Sequence, residues 1–190
     1  MRKNLQREPG QFHAVRFYKD ADSLCRLVGA YLAEGFERRQ PAIVIATPPH
    51  RAGILDDLQS RGVDPNALEG PAALVLLDAD EVLDQFMLDG APDLRKFRAA
   101  MAPILRTLSA AHPGARIRAY GEMVDVLWKQ GRTVAATRLE MLWNDLARSH
   151  DFALLCGYSM GNFYKGAAVE EICGHHSHVL SSDATVPIFS

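Results

Sequence analysis

The sequence is poor in cysteine, in long apolar runs and in net charge, and each shortage argues against a class of protein. Three widely spaced cysteines with no Cys-x-x-Cys pair argue against a disulfide framework or a zinc ribbon. No apolar run approaches the roughly 18 residues that a membrane-spanning helix needs. A formal charge of −2 without a basic stripe argues against a nucleic-acid partner. We therefore expect a soluble globular protein with reduced thiols and no membrane contact.

Two further absences concern nucleotides and secretion. The motifs GxxxxGK[ST] and GxGxxG, whose glycines let backbone amides approach phosphates, are both missing. Residues 1–10 contain basic side chains but neither the apolar core nor the small-residue cleavage site of a secretory signal. ATP hydrolysis by the usual route is therefore not expected, and the cytoplasm is the expected location.

The sequence does contain a regular alternation of short apolar runs and helical patterns. Runs rich in apolar residues predict strands at 13–18, 42–46, 73–77, 116–120 and 152–156. Apolar residues at three-and-four spacing predict helices at 20–40, 51–61, 80–88, 133–150 and 165–174, and a further one with Pro92 in its first turn. Strands separated by helices need crossover connections. The pattern predicts a three-layer α/β fold, with a mainly parallel sheet of about five or more strands and helices on both faces.

This alternation occupies nearly the whole chain and suits a single domain. We divide the chain into an N-terminal extension at residues 1–10, the domain at 11–180 and a C-terminal tail at 181–190.

Polar, acidic and aromatic side chains follow the predicted strands. In parallel sheets, ligands bind beyond the carboxyl ends of the strands. This rule predicts a pocket for a small molecule, in which tyrosine and carboxylate groups lie above an apolar floor. The alternative is that polar residues merely begin the loops there. The residues concerned are Tyr18, Asp20, Thr47, Asp78, Asp80, Glu122, Cys156, Tyr158 and Ser159.

Ser159 lies in a pentapeptide, Gly157 to Gly161, that matches the G-x-S-x-G nucleophile elbow of serine hydrolases. A hydrolase of that kind would need an acid and a histidine from the residues that follow. Three fixed residues in a pentapeptide are a weak signal, so we favour a simple turn. A serine hydrolase remains the least favoured of the three functions that we consider.

The segment from Cys173 to His178 contains thiol and imidazole groups, which are ligands of zinc and iron. On a continuous helix, Cys173 and His176 would share one face. The same placement suits a buried helix end, which is the interpretation we favour. We predict no cofactor and no metal site, with Cys173 and His176 as weak metal candidates.

Several short motifs follow one another in a characteristic order. They are His13 with Phe17-Tyr18, Gly121-Glu122-Met123, Leu139-Glu140 to Trp143-Asn144, Leu154 to Tyr158, and Ile172-Cys173 to His176. By placement they resemble the MEDS family, the sensory domain of the methanogen and methylotroph regulator DcmR, over about residues 11–180. The resemblance implies a fold of the KaiC and RecA group with the phosphate loop lost. It also implies a role in signal transduction and the sensing of small hydrocarbon derivatives.

The resemblance implies a set of site residues but no catalytic residue. We therefore expect a non-enzymatic sensory domain that binds a small organic ligand at the strand ends and acts through a protein partner of a signalling pathway or a homo-oligomer interface. The alternative is a ligand-free adaptor that binds a histidine kinase or a sigma-factor regulator. The implied ligand-binding positions are His13, Tyr18, Glu122, Glu140, Cys156, Tyr158 and His176.

Overall fold

The computed structural model describes residues 12–64, 73–162, 172–180 and 185–187. The strands are β1 His13–Tyr18, β2 Ala42–Ala46, β3 Leu74–Asp78, β4 Met87–Leu88, β5 Ala91–Pro92, β6 Ile117–Gly121, β7 Phe152–Ser159, β8 His178–Leu180 and β9 Thr185–Pro187. The helices are α1 Ala21–Glu37, α2 Pro48–Ser60, α3 Ala79–Phe86, α4 Leu94–Ala111, α5 Met123–Lys129 and α6 Thr133–Ala147. The predicted α/β class is confirmed.

The main sheet has the strand order β3-β2-β6-β7-β1-β8-β9. Neighbouring strands are parallel from β3 to β8, and β9 runs antiparallel to β8. Strand β1 therefore lies between β7 and β8, which both come from the far end of the sequence. The segment assigned as a C-terminal tail contributes β9 to the sheet.

Helices cover both faces of the sheet, as predicted. Side chains alternate between the two faces along a strand. Val15, Leu154 and Cys156 accordingly pack into the core beneath α3, α4, α5 and α6. Ala14 and Leu155 pack into the second core, beneath α1 and α2. Among the described residues, no helix is long and apolar enough to cross a membrane.

One predicted helix start is wrong. Pro92 was expected in the first turn of a helix, but it pairs with Met87 in the β4-β5 hairpin. Asp89 and Gly90 join the two strands with φ angles of 49° and 83°, the positive values that a tight two-residue hairpin turn requires. Helix α4 begins after this hairpin, where the Asp93 carboxylate accepts a hydrogen bond from the Lys96 amide.

Two elements extend beyond their predicted bounds in the direction of the expected ligand site. Helix α2 begins at Pro48, directly after Thr47, because proline fits the first helical position. Strand β7 continues past Cys156 to Ser159, whose partner in β1 is Tyr18. The predicted helix at 165–174 lies outside the described residues apart from its end, where Ile172 and Cys173 are helical.

Candidate functional site

The implied site residues fall into two groups. Tyr18 and Glu122 lie at the carboxyl edge of the sheet, together with Thr47, His50, Asp125 and Lys129, and we name these six residues the edge group. The others lie between the sheet and α6, and we name His13, Glu140, Cys156 and His176 the buried cluster. Tyr158 was predicted to contact ligand at the strand ends, but its hydroxyl donates to Glu140 of the buried cluster.

Glu122 follows β6 and ties the end of that strand to α2. Its Oε1 accepts a hydrogen bond from the Thr47 amide at 2.6 Å. Its Oε2 lies 2.6 Å from His50 Nδ1 and accepts from the Tyr120 hydroxyl at 3.1 Å. Burial would raise the pKa of Glu122, but the hydrogen bonds from His50 and Thr47 outweigh it and lower the pKa. The carboxylate is therefore held in its charged form.

Asp125 organises the other half of the edge group. Its Oδ2 accepts from the Tyr18 hydroxyl at 2.8 Å and lies 2.7 Å from Lys129 Nζ. Its Oδ1 accepts from the Ser159 amide at 2.9 Å, so one buried carboxylate holds β1, β7 and α5 together. Burial and the charge of Asp125 raise the pKa of Tyr18, which stays protonated as a donor.

The sheet has its topological switch point at this edge, between β2 and β6. The chain leaves β2 toward β3 on one side, and it leaves β6 toward β7 on the other side. Ligands of open α/β sheets bind where neighbouring connections diverge in this way. Thr47 and His50 follow β2 and Glu122 follows β6, so these residues flank the switch point.

Sequence reasoning missed three members of the edge group. It did not single out His50, Asp125 or Lys129 as site residues. Asp125 and Lys129 are four residues apart on α5, the spacing at which acidic and basic side chains meet on a helix. That spacing, on the helix that directly follows β6 and Glu122, was the available signal.

The buried cluster draws one side chain from each of four distant parts of the chain. His13 comes from β1, Glu140 from α6, Cys156 from β7, and His176 from the segment after the helical residues 172–173. All four are at most 5% exposed. One potential ligand atom from each residue lies within 4.8 Å of those of the other three. The spacing leaves no room for an organic molecule between them.

The charges inside the cluster complement one another. Burial would raise the pKa of Glu140, but His176 and His13 outweigh it and hold the pKa well below its usual value. Glu140 in turn raises the pKa of His176, against the effect of burial. Burial and the neighbouring His176 lower the pKa of His13. Burial, reinforced by Glu140, raises the pKa of the Cys156 thiol.

Comparison with known families identifies the chain. The model of the MEDS family, described as the methanogen/methylotroph, DcmR sensory domain, matches residues 12–177. The chain belongs to the MEDS family. The family is one of sensory domains. No curated protein matches the chain.

The two weak metal candidates, Cys173 and His176, lie in different surroundings in this MEDS domain. His176 lies in the buried cluster, 3.3 Å from Glu140. Cys173 is half-buried and is not part of that cluster. Sequence reasoning paired Cys173 with His176 because they would share one face of a continuous helix, but the helical residues end at Cys173, and the fold places His176 with three residues from elsewhere.

The serine pattern of the MEDS domain lies largely within β7. Gly157, Tyr158 and Ser159 are all paired with β1, and a turn of 3-10 helix, Met160–Asn162, follows directly. Ser159 thus ends the strand, and its amide donates to Asp125. A Cβ atom at residue 157 would lie 2.8 Å from the Tyr120 hydroxyl oxygen. Packing against Tyr120 thus accounts for the first glycine of the pattern.

Proposed function

We propose that this MEDS domain is a non-enzymatic sensory domain of signal transduction, which binds a small organic molecule at the carboxyl edge and acts through a protein partner. The main support is the position of the edge group. A buried carboxylate, Asp125, holds Tyr18 and Lys129 at the carboxyl edge of the sheet, the edge at which the strand connections diverge. Hydrogen bonding of this kind requires no cofactor.

Lys129 is the member of the edge group that a ligand can replace. Its side chain is 47% exposed, whereas that of Asp125 is 2% exposed. Removing one partner of a pair whose carboxylate is buried leaves an uncompensated charge. The exposed ammonium group can move into water, so a ligand can take its place if it brings its own hydrogen-bond donor to Asp125. The rings of Tyr18 and His50 pack edge to face, with centroids 5.9 Å apart, so a ligand at Asp125 would lie beside this pair. Because Asp125 accepts hydrogen bonds, we favour short-chain alcohols and amines.

The connection from the edge group to a partner runs through α5. Asp125 lies on α5 and also accepts from the Ser159 amide, so a ligand at Asp125 acts on the contact between α5 and β7. Helix α5 packs against α6, on which Val134 and Met141 are 82% and 57% exposed. A partner that contacts these apolar side chains would respond to movement of α5.

The test is a thermal-shift and calorimetry screen with alcohols, amines, aldehydes and carboxylic acids of one to four carbons. The proposal expects a ligand that stabilises the protein and loses at least tenfold in affinity in Tyr18→Phe. The matched control is Tyr31→Phe, which removes a hydroxyl that donates to the Ala153 carbonyl away from the edge. Equal affinity of both variants would contradict the edge assignment.

A ligand-free adaptor is the second candidate, and the exposed apolar residues of α6 are the observation that favours it. Met141 also lines a surface depression of about 420 Å³ with Leu94 and Leu142. Native mass spectrometry of freshly purified protein separates the two functions. A retained small molecule supports the sensor, whereas a protein partner bound by the ligand-free chain supports the adaptor.

A further inference from the structure

The buried cluster has the dimensions of a metal site. His13 Nε2 lies 3.2 Å from Glu140 Oε2 and 3.3 Å from Cys156 Sγ. Cys156 Sγ lies 3.6 Å from Glu140 Oε2, and His176 Nε2 lies 3.3 Å from Glu140 Oε1. Tetrahedral zinc, with bonds of about 2.0–2.3 Å, separates neighbouring ligand atoms by roughly 3.3–3.8 Å. With one ligand atom taken from each residue, the separations reach up to 4.8 Å, so the four side chains would move inward to bind an ion.

The hydrogen bond of His13 Nδ1 leaves Nε2 as the ring nitrogen that can bind a metal ion. Asn144 Nδ2 donates to the His175 carbonyl at 2.9 Å, which orients the amide so that its Oδ1 faces His13. The distance from that oxygen to His13 Nδ1 is 2.8 Å. Because an amide oxygen only accepts, Nδ1 must carry the hydrogen. The lone pair of neutral His13 is thus on Nε2, which faces Glu140 and Cys156.

His176 is oriented in the same way by the backbone. Its Nδ1 lies 2.7 Å from the Ile172 carbonyl oxygen, which also only accepts, so Nδ1 carries a hydrogen. Its Nε2 is buried and has no hydrogen-bond partner among the described residues, although Glu140 Oε1 is 3.3 Å away. Histidines that bind metals usually donate the other ring N–H to an amide, carboxylate or carbonyl oxygen in this manner. Both imidazoles of the cluster are therefore arranged as ligands.

We propose that His13, Glu140, Cys156 and His176 bind one divalent transition-metal ion, with zinc as the best fit. Nitrogen and sulfur ligands favour zinc over calcium or magnesium. The two charges of the ion balance the Glu140 carboxylate and the Cys156 thiolate, so the buried site is neutral. On binding, the Cys156 S–H bond breaks, the sulfur bonds to the ion, and the thiol proton passes to solvent together with any proton on His176. Four protein ligands close the site, as in structural zinc centres.

Metal analysis and cobalt spectroscopy test this proposal. The protein, purified without a histidine tag and dialysed against EDTA, is titrated with Zn²⁺ or Co²⁺ alone. We expect one ion per chain, intense visible bands of tetrahedral Co²⁺ and a thiolate charge-transfer band. Zinc at about 1,000-fold above its dissociation constant should raise the melting temperature by roughly 10 °C. Sub-stoichiometric binding, or cobalt spectra of an octahedral ion, would overturn the proposal.

Matched variants locate the ion. Cys156→Ser should abolish the charge-transfer band and weaken binding at least 100-fold, and Glu140→Gln should weaken binding while the thiolate band persists. Cys173→Ser and His175→Ala change neighbouring metal-ligand side chains outside the cluster and should bind as the wild type does. Loss of binding in either control, with binding retained in Cys156→Ser, would refute the assignment. Circular dichroism of each metal-free variant identifies any that fails to fold. The variants that do fold then decide whether the buried cluster binds the ion.

Discussion

Tyr158 on β7 donates its hydroxyl hydrogen to Oε1 of Glu140 on α6 at a distance of 2.7 Å. Both side chains are fully buried, so this bond joins the sheet to the helix that covers it. It also occupies one oxygen of the carboxylate and fixes the direction of the other, Oε2, toward His13 and Cys156. Tyr158 therefore positions Glu140 rather than any ligand at the sheet edge.

Removing this hydroxyl should destabilise the fold. Tyr158→Phe takes away a hydrogen bond to a charged, buried acceptor, for which we expect a loss of about 1.5–3 kcal/mol in the free energy of unfolding. Urea denaturation of metal-free protein measures it. Tyr31→Phe, which loses a bond to an uncharged carbonyl, should cost only about 0.5–1.5 kcal/mol. A Tyr158 variant no less stable than the Tyr31 variant would contradict the importance of the contact.

The lowered pKa of Glu122 predicts a pH dependence of stability. A carboxyl whose pKa is lower in the folded state stabilises that state at pH values above its unfolded pKa. This contribution is lost as the pH falls below about 4.5 and through the folded value. Melting temperatures between pH 7 and pH 3 should therefore fall less steeply in Glu122→Gln than in the wild type.

At neutral pH, the same Glu122→Gln variant should lose about 1–3 kcal/mol, because the Thr47 amide and His50 no longer face a charged acceptor. Glu34→Gln, at a half-exposed carboxylate, serves as the control. A Glu122 variant whose melting temperature follows the wild-type pH curve would show that this carboxylate does not carry the dependence.

Packing against Tyr120 predicts that alanine substitution destabilises the protein at Gly157 but not at Gly161, the two glycines of the serine pattern. Gly157→Ala places a methyl group 2.8 Å from the buried Tyr120 hydroxyl, which is itself bonded to Glu122. We expect a loss of about 1–3 kcal/mol from overpacking. Gly161→Ala meets its nearest neighbour, the Ser159 hydroxyl oxygen, at an ordinary 3.8 Å and should change stability by less than about 0.5 kcal/mol. Equal denaturation midpoints would refute this account.

The hydrolase alternative predicts labelling at Ser159. Because the Ser159 amide donates to the buried Asp125 carboxylate and the residue is paired with Tyr18 in the sheet, we expect no reaction with a fluorophosphonate probe above that of Ser159→Ala. Mass spectrometry of the probe-treated protein detects any adduct, and a commercial serine hydrolase is the positive control. A stoichiometric adduct on Ser159 would support the serine hydrolase alternative.

The alternation of apolar runs and helical patterns was sufficient to predict the fold class. Strand burial leaves a direct pattern in the sequence: β2 is wholly buried and was found at its observed bounds, 42–46. The start of α4 was misjudged because two hairpin residues with positive φ, Asp89 and Gly90, place Pro92 in a strand. Local sequence allows both outcomes, and tertiary pairing selects one.

The candidate sites were less accessible from sequence because their contacts are distant along the chain. His13 lies 131 residues from Asn144 and 143 from Cys156, and nothing in the local pattern indicates these pairs. The strand-end rule gave Tyr18 and Glu122 correctly as edge residues. It misplaced Tyr158, because β7 extends further than its apolar run and turns that side chain beneath α6.

The position of β1 between β7 and β8 also bears on how the protein is made. At the ribosome, His13–Tyr18 is synthesised long before Phe152–Ser159, its first neighbour in the sheet. Until then the strand has two unpaired edges, and its apolar side chains are available to chaperones or to other chains. We expect the completion of the sheet to wait until translation is nearly finished, with the later strands closing around the earliest one.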